Sequence, residues 1–398
     1  MPRIDDALQL GPVRLRNRTV KTATNEGMSP DGLPSPALAA HHARLAEGGV
    51  ALTTVAYAAV APDGRTFSQQ LLLDDAAVVP LRGLTDGVHR HGGAASIQLA
   101  HCGGFSKSTT GAGPAGPSAG FNAYGLAYGR PRIRAMSEAE LDATEAAFVA
   151  AARRAREAGF DAVEVHLGHG YLLSQFLSPL FNRRRDRWGG DRDGRMAFPL
   201  RVARAVRSAV PDLAVLAKVN LSDGLAGGWE VADTIVLVRA LNDVGVDGAV
   251  LSGGLVQRNA FYLLRGQVPI VRMAANESSW LQRVAMRAFA PFLVKPYAFS
   301  PLFFRQQALQ VRAAVPDATL VLLGGVTGAA DLQTAVDDGF DAVALGRALL
   351  HDPDFVRRCL DDAAWTTGCT RCNACVATMD EGGVRCVLHD PPATASAP

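Results

Sequence analysis

Residues 157–172 read Glu-Ala-Gly-Phe-Asp-Ala-Val-Glu-Val-His-Leu-Gly-His-Gly-Tyr-Leu. Gly159 closes an Ala-rich helix, Asp161 leads into a buried apolar run, and His166 marks the end of that strand. The same joint recurs in Asp243-Val-Gly-Val-Asp-Gly-Ala-Val and Asp338-Gly-Phe-Asp-Ala-Val. A helix that turns through Gly into a buried strand is characteristic of alternating α/β architecture. Working outward, apolar β-branched runs predict strands at 19–24, 50–57, 94–100, 161–167, 213–220, 247–252, 319–324 and 341–346. Amphipathic segments predict helices near 36–47, 75–91, 137–158, 192–209, 230–244, 304–315, 328–338 and 353–363. Ser137 with Glu140 has the spacing of a capping box. Eight strand–helix units predict an α/β fold of the (β/α)8 barrel type, with an open doubly wound sheet as the alternative.

Composition narrows the class further. The chain has 398 residues, 48% hydrophobic and 20% charged, which excludes a disordered or fibrous protein. A net charge of +2 gives no general attraction to nucleic acid. Of the 40 basic residues only four are lysines: Lys21, Lys107, Lys218 and Lys295. Uncharged apolar runs fall short of the roughly 18–20 residues that cross a bilayer, and the N-terminus lacks a signal-peptide core. The expectation is a cytoplasmic protein without a membrane partner. Residues 1–363 are expected to form the barrel and 364–398 a cysteine-rich extension with a disordered end. Two stretches exceed what a bare barrel needs, 102–135 after strand three and the aromatic-rich 253–303 after strand six. Long loops at the C-terminal face of such a barrel are where binding sites are built.

Several residues carry chemistry at those strand ends. His166 and His169, three apart past a strand, can converge as two N–H donors on one oxygen, and Tyr171 can give up a proton nearby. Metal ligation and a purely structural role are the competing readings of the histidines. Lys218 lies within Val-Leu-Ala-Lys-Val-Asn, where it should face the barrel interior, so a buried ammonium there requires a partner. A rim lysine reaching solvent is the alternative. Gly324-Gly325 and Gly346-Arg347 end the last two strands, where close-approaching backbone N–H groups and a following helix suit a phosphate.

The segment His166-x-x-His-Gly-Tyr-Leu, with Gln175-Phe-Leu-Ser-Pro, Asn182-Arg-Arg, Asp186, Trp188-Gly-Gly and Arg195, strongly resembles the Old Yellow Enzyme family of FMN-dependent ene-reductases. The resemblance extends to about residue 358. It implies FMN as cofactor, NADH or NADPH as co-substrate, and a small conjugated molecule as acceptor. Hydride would pass from flavin N5 to the β-carbon of an α,β-unsaturated carbonyl compound. His166 and His169 would hold the carbonyl oxygen while Tyr171 protonates the α-carbon. Cofactor contacts implied by position are Thr22, Ala23, Thr24, Asn25, Tyr57, Gln98, Lys218, Gly324, Gly325, Gly346 and Arg347. Asn25 and Tyr57 depart from the residues usual in the family at those places.

After the last helix the chain reads Cys369-x2-Cys372-x2-Cys375-x10-Cys386, a spacing that suits a metal or cluster. It resembles the motif of trimethylamine dehydrogenase and 2,4-dienoyl-CoA reductase, which implies a [4Fe-4S] cluster. Zinc and unliganded thiols are the alternatives. A cluster would imply an electron-transfer partner and favour an FMN/iron–sulfur dehydrogenase, demethylase or electron-transfer subunit as rival functions. A homo-oligomer is compatible with any of these.

Overall fold

The computed structural model describes residues 2–67, 69–108, 113–277 and 280–389; the expected disordered end lies, from residue 390 onward, outside the described residues. Eight strands close a parallel barrel: β1 (Thr19–Lys21), β2 (Leu52–Ala59), β3 (Ala94–Ala100), β4 (Ala162–Leu167), β5 (Ala214–Asn220), β6 (Gly248–Ser252), β7 (Leu320–Leu323) and β8 (Ala342–Leu345), the last pairing with the first. Eight helices follow them in order: α1 (Pro36–Glu47), α2 (Asp75–Arg90), α3 (Glu138–Glu157), α4 (Arg192–Ala209), α5 (Val231–Asp243), α6 (Arg305–Ala314), α7 (Ala329–Asp337) and α8 (Phe355–Asp361). The barrel expectation holds, and the open sheet is excluded by the β8–β1 pairing. Every residue of β2 and β4–β8 is buried, as strands covered on both faces require. An N-terminal hairpin, Leu8–Leu10 against Val13–Leu15, precedes β1.

The recurring Gly–x–Asp joint has a physical basis. Gly159, Gly245 and Gly339 have φ of 82°, 85° and 89°, the left-handed conformation that lets a helix end. The Asp that follows each one fastens the neighbouring strand. Asp161 Oδ2 accepts the Ala95 N–H at 2.7 Å and lies 2.8 Å from His89 Nε2. Asp247 Oδ2 accepts from the Val215 N–H and from Arg207, both at 2.7 Å. Asp341 Oδ2 accepts from the Leu320 N–H at 2.9 Å and from Arg312 at 3.2 Å. Each carboxylate satisfies an N–H at the start of the preceding strand, on its first or second residue, and pairs with a basic residue of the helix before that strand. The capping box is also present, with Ser137 Oγ accepting the Glu140 N–H and the Glu140 carboxylate accepting the Ser137 N–H.

The long connections have structure of their own. Residues after β3 form a small sheet from Ala115–Gly116, Gly120–Phe121 and Arg132–Ala135, where composition had indicated only loop. Two-residue strands are too short to produce a periodic pattern. After β6 the chain forms short helices at Val256–Asn259 and Ile270–Ala275 and a longer one at Trp280–Leu293. The cysteine-rich tail packs back onto the barrel mouth, its Val384 N–H donating to the Glu26 carbonyl at 2.7 Å. Among the described residues no helix is long and apolar enough to cross a membrane.

Candidate active site and cofactor cradle

The strands bring the sequence-predicted residues to one end of the barrel. Gln98 and Glu164 are register partners on β3 and β4, and His166 faces Lys218 across β4 and β5. Side chains two apart on a strand share a face, so Glu164 and His166 point the same way. The Glu164 carboxylate accepts a hydrogen bond from the Gln98 amide at 2.7 Å and lies 3.1 Å from Lys218 Nζ. Lys218 also donates to Thr22 Oγ1 at 2.9 Å. Glu164 is therefore the partner that a buried Lys218 required, and the rim-lysine alternative fails because the side chain is 1% exposed. Burial lowers the Lys218 pKa and the Glu164 carboxylate opposes that shift.

Past the end of β4, the His166 and His169 rings lie 5.1 Å apart, and the Tyr171 ring lies 4.3 Å from His166. All three are buried. The Gly168 N–H donates to His166 Nδ1 at 3.3 Å, which leaves the ring proton of neutral His166 on Nε2. His169 adopts φ of 60° and is held by its own N–H donating to Asn220 Oδ1 at 2.9 Å, with Nε2 2.7 Å from Ser252 Oγ. Burial depresses both imidazoles, His169 to about 3, so both rings are neutral near pH 7. Burial pushes the Tyr171 hydroxyl well above its ordinary range and keeps it protonated. Tyr57, which packs edge-on to Tyr171 at 5.0 Å, donates to Thr66 Oγ1 at 3.1 Å.

A cavity of about 760 Å³, partly open to solvent, lies above β1, β5, β7 and β8 and is lined by Thr22, Ala23, Thr24, His169, Lys218, Gly324, Gly325, Gly346 and Arg347. Gly324 and Gly325 have φ of 110° and 83°, and a Cβ on either would lie 2.8 Å from the Phe303 ring. Both positions demand glycine on backbone and steric grounds, leaving bare backbone at the place expected for a phosphate. Gly346 has an ordinary φ of −125°, so its smallness is not imposed by conformation. Arg347 Nη1 donates to the Arg265 carbonyl at 2.8 Å and also to Asn373 Oδ1. Asn25 does not line this cavity; it faces a second cleft together with Tyr57. The lining residues fit FMN in kind, with a glycine cradle and Arg347 for a phosphate and Lys218 for a polar ring edge; Gln98, bonded to Glu164, is not part of that lining.

A family model described as NADH:flavin oxidoreductase / NADH oxidase matches residues 6–260. The chain belongs to that family. It is 39% identical over 394 residues to a Rhodococcus erythropolis protein named 4,4'-dithiodibutanoate disulfide reductase, covering 98% of this chain and 96% of that one. It is 36% identical over 241 residues to a Geobacillus thermodenitrificans NADPH dehydrogenase, covering 60% of this chain and 68% of that one. Among solved structures, morphinone reductase superposes with a TM-score of 0.68 at 23% identity over 92% of both chains. A 2-naphthoyl-CoA reductase complex superposes with a TM-score of 0.80 at 19% identity, where this chain spans 97% of itself but 56% of the other. As a member of the NADH:flavin oxidoreductase family, the protein is an FMN-dependent NAD(P)H oxidoreductase.

Sequence reading missed a second buried ionic group. Glu26 lies beside Lys21 and His42, and its Oε2 accepts the Ala56 N–H at 3.0 Å. Burial alone would raise its pKa, yet Lys21 and His42 hold it down at about 2. The tail cysteines are all free thiols. Cys369 lines the cofactor cavity, and burial pushes the Cys375 thiol up to about 11. Cys386 Sγ lies 3.5 Å from His351 Nδ1, and His389 Nε2 is 3.0 Å from the same nitrogen. Cys102 and Cys359, outside the motif, are buried thiols pushed up to about 12, the property of inert packing cysteines.

Proposed function

We propose that the protein uses NAD(P)H to reduce the activated C=C bond of α,β-unsaturated carbonyl or related compounds. The observation that carries this reading is a protonated, buried Tyr171 4.3 Å from the neutral ring of His166. When bound, FMN supplies the two-electron chemistry that links the coenzyme to the acceptor. His166 Nε2–H and His169 bind the carbonyl oxygen and stabilise the charge that develops on it. Tyr171 holds a proton in reserve and delivers it to the α-carbon. Thr22, Ala23, Thr24, Gln98, Lys218, Gly324, Gly325, Gly346 and Arg347 hold the cofactor, while Asn25 and Tyr57 border the acceptor. The test is an anaerobic titration with NADPH followed by cyclohexenone, read in the visible spectrum. Flavin bands that bleach and then return support the reading. Bleached bands that persist after cyclohexenone refute it.

The R. erythropolis relative favours a second reading, reduction of a disulfide acceptor at the same site. There Tyr171 would protonate a departing thiolate, and 4,4'-dithiodibutanoate in place of cyclohexenone distinguishes the two. For the tail, the reading is a [4Fe-4S] cluster on Cys369, Cys372, Cys375 and Cys386. Among the described residues no three of these thiols lie within 4.8 Å of one another, whereas His351, Cys386 and His389 do. Tetrahedral zinc with Zn–S of about 2.3 Å would draw four sulfurs closer than that. An iron assay near four per chain supports the cluster; one zinc per chain moves the site to the histidine pair and Cys386. Six free cysteines suit a cytoplasmic setting.

A further inference from the structure

A cleft of about 2030 Å³ opens beside Tyr57 and is walled by the segments after β1, β2, β3 and β6 and by the tail, with Asn25, Gln70, Lys107, Tyr128, Asn276 and Glu277 among its lining. Its inner end meets the proton donor, since the Tyr57 ring touches Tyr171 at 5.0 Å. From Tyr171 an aromatic run leads outward. The Phe105 ring is 5.0 Å from Tyr171, the Tyr124 ring 6.4 Å from Phe105, and Lys107 Nζ 4.9 Å from the centre of Tyr124. Tyr128 flanks the same ammonium at 5.5 Å. Two rings thus fix the position of a cation at the outer end of an apolar path.

Lys107 differs from the chain's two buried lysines. Lys21 is paired with Glu26 and Lys218 with Glu164. Among the described residues the Lys107 ammonium has no carboxylate partner. The cleft has two acidic groups. Glu26 is paired with Lys21, and Glu277 stands on the segment after β6, a different wall from Lys107. A negative group entering the cleft is repelled by Glu277 and attracted to Lys107, so the charge pattern also orients it.

We infer that Lys107 binds an anionic group, a carboxylate, on the electron-accepting substrate, whose reducible bond sits several atoms away at Tyr171. This rests on the site assignment given under Proposed function and adds the substrate class: an amphipathic acid with an apolar stretch between acceptor and carboxylate. The apolar stretch lies in the cleft beside Tyr57 and Phe67, and the acid accepts charge-assisted hydrogen bonds from Nζ.

The experiment compares two acceptors, cyclohexenone and a cyclohexenone carrying a butanoate tail, in wild type, Lys107→Met and Lys107→Arg. Flavin content and near-ultraviolet circular dichroism establish that the variants are folded. Lys107→Met should raise KM for the tailed acceptor about tenfold, leave cyclohexenone unchanged and leave flavin reduction by NADPH unchanged. Lys107→Arg should recover most of the difference. Equal changes for both acceptors, or none for either, overturn the inference. If wild type reduces neither acceptor, the ene-reductase reading has failed, and the anchor is tested by perturbation of the flavin spectrum on adding the tailed compound. Weaker binding to Lys107→Met then sustains it, and equal binding refutes it.

Discussion

Two walls of the same barrel mouth are held by different means. Gln98, Glu164, His166 and Lys218 stand on strands whose register pins them, and their charges compensate one another within 3.1 Å. Asn25, Tyr57, Lys107 and Tyr128 line the outer cleft, where the Lys107 ammonium lies against the faces of Tyr124 and Tyr128. The inner wall must satisfy its own charges because burying an unpaired ion costs several kcal/mol. The outer wall keeps its cation available. On the proposed reading, chemistry common to all substrates stands on the strand-borne wall, and recognition that differs between substrates is left to the other.

The sharpest way to break this contrast is at Tyr171. Tyr171→Phe should slow the acceptor half-reaction by about a hundredfold or more while NADPH reduces the flavin at the wild-type rate, measured by stopped flow. Equal loss in both half-reactions would remove Tyr171 from proton delivery. Next, Lys218→Met leaves Glu164 buried without its cation and should cost about 3–5 kcal/mol in urea unfolding. Adding Glu164→Gln should return much of that loss; a double variant as unstable as the single one would show that the pair is not self-compensating.

Acid should dismantle the buried groups in two windows. His169 is depressed to about 3, so the folded protein binds fewer protons than the unfolded chain between about pH 6.5 and 3, and stability falls as pH drops through that range. Glu26, held at about 2, adds a loss that begins below about pH 4.5. Melting temperatures at pH 7, 5 and 3 should decline steadily, and Glu26→Gln should flatten the lower window; an unchanged slope would detach Glu26 from acid stability. The smallest effect is expected on the scaffold, where Ser137→Ala removes a helix cap at about 1 kcal/mol with kinetics unchanged. A kinetic change there would mean that α3 does more than support the barrel.

Much of the inner wall was legible because strand chemistry follows a period of two. His166, Lys218 and Gln98 stand out as polar residues in apolar runs. Glu164 carried the same signal, two residues before His166 on one strand face, and was passed over. The Asp161, Asp247 and Asp341 joints could be recognised as a repeated pattern, but their strand-fastening hydrogen bonds join segments that are far apart in sequence. The Lys21–Glu26–His42 group escaped because Glu26 reaches its partners from a loop, and loop pairing leaves no periodic trace even at short separation. The miniature sheet within 102–135 was hidden by the shortness of its strands, and the approach of His351 to Cys386 joins residues 35 apart in the chain.

Arg347 has a wider consequence. Its guanidinium already supports the loop after β6 through Arg265 and the cysteine segment through Asn373, while it also faces the cofactor cavity. One side chain with five donors therefore ties two segments together at the edge of the cavity. Were a ligand in the cavity to draw on the same guanidinium, any effect it had on the order of the tail would be returned by the tail on the ligand's affinity by the same factor.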